Sequence, residues 1–163
     1  IAETNSDTWA GDYHYLELCT PRVLAVASPA YLAANGRPGT LDGLRTHRLI
    51  SATPTSAKHA ALHVGWPDVM TNAPEPAETV REEHLALAAA LAGRGVVLVE
   101  DVFVAADLAA GRLVRVLDTA FQAKASYRLA MPKSSVEQRA LSTFADWLEG
   151  EFAAMGAPEA DKR

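Results

Sequence analysis

Cysteine is almost missing from the 163 residues: Cys19 stands alone. An internal disulfide is therefore excluded, and no Cys/His cluster has the spacing of a metal site. A reducing cytoplasm is the natural compartment. An excess of basic charge is missing too, since 15 Lys and Arg face 20 Asp and Glu, a formal net charge of −5. Wrapping nucleic acid needs clustered Lys and Arg, so this chain is not expected to hold DNA by itself. No apolar run approaches the roughly 20 residues that cross a bilayer. The first residues, Ile1-Ala2-Glu3-Thr4-Asn5, lack the basic and apolar regions of a signal peptide. The expectation is a soluble, cytoplasmic chain with no membrane partner. Nothing repeats at a fixed period. What is present, 49% hydrophobic and 21% charged residues, is the composition of one globular domain with a real core. Ile1-Ala2 reads as the end of a strand without its beginning, so the sequence is expected to be a piece of something longer.

Leu16-Glu17-Leu18 and Val23 to Ala27 read as strands, the second so continuously apolar that both faces should be buried. Ser28, Pro29 and Gly36 punctuate a short helix. Thr40 caps the turn Leu41 to Thr46, and Arg48-Leu49-Ile50 is a strand running into the hydroxyl-rich loop Ser51 to Ser56. Ala61 to Trp66 is read as a strand, and Asn72 to Glu78, with Pro74 and Pro76, as a loop. Thr79-Val80-Arg81 ends a strand, Glu82-Glu83-His84 turns, and Leu85 to Ala92 is a helix closed by Gly93-Arg94-Gly95. Val96 to Val99 is an apolar strand, Asp101 caps a helix over Val102 to Ala110, and Leu113 to Leu117 alternates as a strand. Tyr127 to Met131 is a strand stopped by Pro132. Ser134 and Glu137 form a capping box that opens a long helix, with Val136, Ala140, Phe144, Trp147 and Leu148 as its apolar face. Phe103, Phe144 and Trp147 are assigned to the core. This alternation of strands and helices implies an α/β domain with a mostly parallel sheet.

Catalytic chemistry is poorly represented. His59 and His63 are four apart but fall on or beside a segment read as strand, with no third ligand. Cys19 has no evident base, and Glu82 and Glu83, adjacent in sequence, point apart, unlike working acid/base carboxylates. No cofactor, metal site or enzymatic activity is expected.

Several segments taken together resemble the regulatory domain of LysR-type transcriptional regulators. They are Val26-Ala27-Ser28-Pro29-Ala30-Tyr31-Leu32, Gly36-Arg37-Pro38 with Asp42-Gly43-Leu44 and His47, and Ala89-Ala90-Leu91-Ala92-Gly93-Arg94-Gly95-Val96. Asp107 to Val114 and Phe144-Ala145-Asp146-Trp147-Leu148 complete the set, which spans about Trp9 to Phe152. Trp9 and Ser126-Tyr127 look most like the subgroup that regulates β-lactamase expression and glycine cleavage. The resemblance implies an α/β fold like a type II periplasmic binding protein, with two lobes and an effector between them. Lobe two would be complete over about residues 23–127, with lobe one truncated to remnants at 1–22 and 128–163. It also implies that the N-terminal winged helix-turn-helix lies outside this sequence. DNA would then be reached only through that domain, with a small-molecule effector as ligand and a homodimer or homotetramer as the assembly. A rival with the same fold is the extracytoplasmic solute-binding component of a transporter; a third is an enzyme on the same lobes.

By the same resemblance, candidate effector contacts are Ser51 and Thr53, Glu82-Glu83-His84, and Tyr127. Ser51 and Thr53 would donate to the ligand, or merely cap the next helix. Glu82 and Glu83 replace the small hydroxyl residues usual in the subgroup and favour a cationic or amine-bearing effector over an anion. Their other reading is stabilisation of a helix N-terminus, about 0.3–1 kcal/mol. His84 would tune ligand charge with pH or simply be solvated. Tyr127 can stack and donate at once. Trp9 would line the cleft wall, or pack the hinge with Tyr13.

Overall fold

The computed structural model describes residues 2–4, 12–53, 61–135 and 138–156. The chain divides into two units, Ile1–Pro21 with Ala125–Arg163, and Arg22–Lys124. Trp9, His59, Thr55, Val136 and Glu137 lie outside the described residues.

In the first unit, β1 (Ala2–Thr4) and β2 (Tyr13–Cys19) both pair antiparallel with β9 (Ser126–Pro132), giving the order β1-β9-β2. The closing helix, Arg139–Gly156, lies against this unit's sheet. Its inward stripe is Ala145 and Leu148, buried with Leu129 and Met131 and joined by Leu16, Leu18 and Phe152. Leu148 is buried as expected, but the two aromatics expected beside it are not: Phe144 is 43% and Trp147 56% exposed, their rings 5.8 Å apart. Both stripes have helical spacing, and the smaller residues occupy the one that meets the strands.

The second unit holds a six-stranded sheet of order β5-β4-β6-β3-β7, with β8 also paired to β3. These strands are β3 (Arg22–Ala27), β4 (Leu49–Ala52), β5 (Glu78–Val80), β6 (Val96–Glu100), β7 (Val114–Arg115) and β8 (Phe121–Gln122). The sheet is mixed, not mostly parallel. β4 runs parallel to β5 and β6, whereas β3 is antiparallel to β6, β7 and β8. Alternating strands and helices account for β4, β5 and β6. β3 stands outside that series, because the chain enters it directly from β2 through Thr20-Pro21.

Period-two alternation sends β3 residues to opposite faces. Val23, Ala25 and Ala27 pack with Tyr31, Leu44, Trp66 and Leu98, while Leu24 and Val26 pack with Ala86, Ala90, Val97 and Val104. Helix α1 (Pro29–Asn35) starts as expected: the Ser28 hydroxyl accepts from the Tyr31 N–H at 3.2 Å, Pro29 opens the first turn and Gly36 follows the end. Thr40 accepts from the Gly43 N–H at 3.1 Å, capping the turn Gly43–Thr46.

Residues 61–69 correct the expected strand. Ala61 and Leu62 are helical, and Trp66–Val69 is a one-turn helix, α2. The Asp68 carboxylate accepts from the Gly65 N–H at 2.8 Å and so holds the start of that turn. Lys124 Nζ donates to Asp68 Oδ1 at 2.8 Å and to the His63 carbonyl at 2.9 Å. The Lys124 hydrogen bond lowers the Asp68 pKa, with burial opposing. Burial, then the Lys124 charge, lowers that of His63, with Asp68 opposing. Asp68 therefore stabilises the fold above its ordinary value, about 3.9, and that contribution fades as pH falls through the lower folded value. Below about 6.5 the unfolded chain binds the His63 proton first, so stability also falls there. Urea melts across this range should show both slopes, the upper one flattened in His63→Asn and the lower one in Asp68→Asn.

Helix α3 (Glu83–Leu91) lays Ala86, Ala89 and Ala90 on the sheet and ends at Gly93, φ +76, where the Arg94 N–H donates to the Ala89 carbonyl at 3.0 Å. Helix α4 (Asp101–Ala109) follows β6 without a loop. Glu100, not Asp101, holds its N-cap position, and both Asp101 oxygens accept from Arg22, from the backbone N–H and Nε, at 3.1 Å each. The strand expected at Leu113 to Leu117 is reduced to Val114–Arg115. The long C-terminal helix is α5 (Arg139–Gly156). It begins beyond Ser134, after a 3-10 turn at Lys133–Ser135.

At Gly95 the backbones of the α3–β6 connection and β4 meet. A Cβ there would collide with the Arg48 carbonyl oxygen and lie 3.2 Å from Ile50 Cγ1. Gly95→Ala is expected to cost about 1–3 kcal/mol, as overpacking does, measured by equilibrium urea unfolding.

Candidate functional site

β4, β5 and β6 are parallel, so their carboxyl ends, at Ala52, Val80 and Glu100, share one end of the sheet. In open α/β sheets that end is where ligands are bound. The chain leaving β5 reaches Glu82, which takes the N-cap position of α3 in an extended conformation (φ −131°, ψ 139°), and the chain leaving β6 turns straight into α4.

Between these two helix starts lies a cavity of about 240 Å³ lined by Glu82, Glu83, His84, Leu87, Val99 and Phe103. Leu87 and Val99 give it apolar walls, and Phe103, one turn into α4, gives it an aromatic one. Glu82 and His84 are exposed and Glu83 is half-buried. The N-cap role does not use the Glu82 side chain, which makes no capping hydrogen bond. By contrast, Ser28 makes one at the start of α1. The three residues expected from the sequence at this turn thus meet on one cavity, and its apolar partners are additional.

Phe103 was assigned to the core, yet it is 50% exposed. Helical side chains lean toward the N-terminus of their helix. An aromatic residue in the first turn after a buried strand therefore covers the strand's end, and this was the available signal.

Ser51 sits in β4, half-buried, opposite Thr79 of β5, and Thr53 follows, exposed, its N–H donating to the Val80 carbonyl at 2.7 Å. Both occupy the same end of the sheet as the cavity without lining it. Tyr127 belongs to the other unit, on β9, with its ring centroid 6.0 Å from that of Phe152. Among the described residues, no group of three or more His, Cys, Asp or Glu could hold a metal ion, and no helix is long and apolar enough to cross a membrane.

Comparison with known proteins gives this arrangement its relatives. The regulatory domain of CrgA, a LysR-type transcriptional regulator from Neisseria meningitidis, superposes with a TM-score of 0.66 at 20% identity, over 92% of this chain and 74% of that one. The effector domain of the transcriptional regulator AmpR of Pseudomonas aeruginosa gives 0.63 at 26% identity, over 90% and 68%. The fold is thus the type II periplasmic-binding-protein-like α/β class expected from the sequence. An uncharacterized HTH-type transcriptional regulator of Escherichia coli K12, YhjC, is 31% identical over 130 residues, which are 76% of this chain and 42% of that protein. The match therefore spans less than half the length of that relative. Residues 5–153 match the family model of the LysR substrate binding domain. With sequence, fold and relatives in agreement, the chain belongs to the LysR substrate-binding domain family.

Proposed function

We propose that this chain is the effector-sensing segment of a cytoplasmic transcription regulator, and that the effector seats in the cavity between the starts of α3 and α4. The observation that carries the proposal is the meeting of Glu82, Glu83 and His84 with Leu87, Val99 and Phe103 at the carboxyl end of three parallel strands. A few polar groups converging on an apolar hollow are what a small-molecule site requires. Recognition, not transformation, is the chemistry such a lining offers. The effector would act by binding two conformations of the regulator unequally, since only a difference in affinity can move such an equilibrium. Operator DNA would be held by a helix-turn-helix domain outside this sequence, in a protein that pairs into dimers or tetramers. Ser51 and Thr53 are proposed as further polar contacts, and Tyr127 and Trp9 as contributors to be tested by substitution. The transporter alternative shares the fold but not the relationship to an HTH-type regulator.

Thermal-shift screening of amino acids, amines and aromatic acids should find a compound that raises the melting temperature through binding to the native state. Phe103→Ala, at a half-exposed position, should leave the melting temperature of the free protein nearly unchanged. It should weaken that compound about tenfold, the loss expected when an aromatic contact worth about 1.4 kcal/mol is removed. Binding undiminished by Phe103→Ala would contradict the site.

A further inference from the structure

We infer that Asp101 is a positioning residue that couples the sensing cavity to a passage of chain between the two units. This rests on the site proposed above and deepens it by naming how occupancy is read out. Two passages of chain join the units, Pro21–Arg22 and Lys124–Ala125. Each is held on its second-unit side by an ion pair, Arg22 to Asp101 at 3.1 Å and Lys124 to Asp68 at 2.8 Å. On the first-unit side Thr20 Oγ1 and Ser126 Oγ, one beside each passage, share a hydrogen bond of 2.8 Å. The two ion pairs differ in what they adjoin. No residue of the turn that carries Asp68, Trp66–Val69, lines the cavity, whereas Asp101 opens α4 just ahead of Phe103, which does.

Strand register brings the passage to that helix start. Val23 of β3 lies opposite Glu100 of β6, so the next residues outward, Arg22 and Asp101, meet just beyond the ladder. There the Asp101 carboxylate takes both the Arg22 backbone N–H and Nε, at 3.1 Å each, a charge-assisted grip at two points that fixes direction as well as distance. Helix capping does not account for it, since the N-cap position of α4 belongs to Glu100 and has no side-chain capping bond. Nor does global stability, because the Arg22 side chain is half exposed and such a pair adds little. What the grip supplies is orientation. α4 follows β6 without a loop, so an occupant that displaces Phe103 and the first turn of α4 meets no slack before Arg22. Hydrogen-bonded ion pairs are among the contacts that carry coupling between separate sites.

The test needs no effector. Amide and arginine Nε resonances of the 163-residue chain are compared across a cycle of wild type, Phe103→Ala, Asp101→Ala and the double variant. Phe103→Ala should shift Arg22, Thr20 and Ser126 in the wild-type background, and the shifts at Thr20 and Ser126 should be lost in the Asp101→Ala background while those at Leu87 and Val99 persist. The missing ring current is the same in both backgrounds, so the departure from additivity isolates the pair. Arg22→Gln removes the Nε half of the grip and should diminish the same shifts, which keeps the test decisive where Asp101→Ala does not fold. Shifts at Thr20 and Ser126 that never arise, or that are equal with and without the pair, would overturn the coupling. The sensing site stands or falls separately, on whether the compound found by thermal shift loses affinity in Phe103→Ala.

Discussion

Trp66→Ala is expected to lower the stability of the Arg22–Lys124 unit by about 3–5 kcal/mol, the range for emptying a buried tryptophan site. Trp66 is 1% exposed and shares its cluster with Leu44, Met70, Val96 and Leu98. Its indole N–H donates to the Ile50 carbonyl at 2.9 Å, tying α2 to β4. The substitution therefore removes apolar area, a filled volume and a buried hydrogen bond together. Typical domains are stable by only about 5–15 kcal/mol, so a large part of the native margin should disappear. Urea unfolding followed by far-UV circular dichroism measures it, and Trp66→Phe separates the hydrogen bond, worth about 1 kcal/mol. A loss below about 1 kcal/mol for Trp66→Ala would mean that this side of the sheet is not packed as described.

In the other unit, Leu148→Ala should cost about 2–5 kcal/mol, while Trp147→Ala, one residue earlier, should stay within about 0.5 kcal/mol as surface changes do. Leu148 is buried with Leu129, Met131 and Ala145 between α5 and the strands, and Trp147 is 56% exposed. The larger side chain is thus predicted to matter less. Hydrogen exchange gives a local readout, since amides of β2 and β9 should lose protection in Leu148→Ala and keep it in Trp147→Ala. The reverse order would mean that Trp147, not Leu148, faces the strands.

The contrast shows where sequence reading succeeds. β3 and β6 were legible because unbroken apolar runs can be satisfied only by burial on both faces, and α1 because Ser28, Pro29 and Gly36 mark its ends. On α5 Leu148 was placed correctly, but Phe144 and Trp147 were misplaced, because neighbouring stripes share the helical period and the aromatic one draws the eye. Which of them is buried depends on how the helix meets β9, just before it, and β2, far back in the chain. The turn at Trp66 was missed although Pro67-Asp68 is a helix-start signal, because a short apolar stretch fits strand and helix equally. Strand direction was legible only within the β4–β5–β6 series. At the candidate site, Glu82, Glu83 and His84 were singled out by resemblance and chemistry together, and they line one cavity. Phe103 was lost to the core because hydrophobicity alone cannot tell an aromatic that fills an interior from one that walls a cavity.

The most direct measurement is a protein-observed NMR titration of the chain with a compound that raises its melting temperature. Amide and methyl shifts should move first and furthest at Glu82 to Leu87, Val99 and Phe103, saturating with one affinity. Shifts confined to the opposite face of the sheet, around Tyr31, Leu44 and Trp66, with the cavity residues unmoved, would contradict the account.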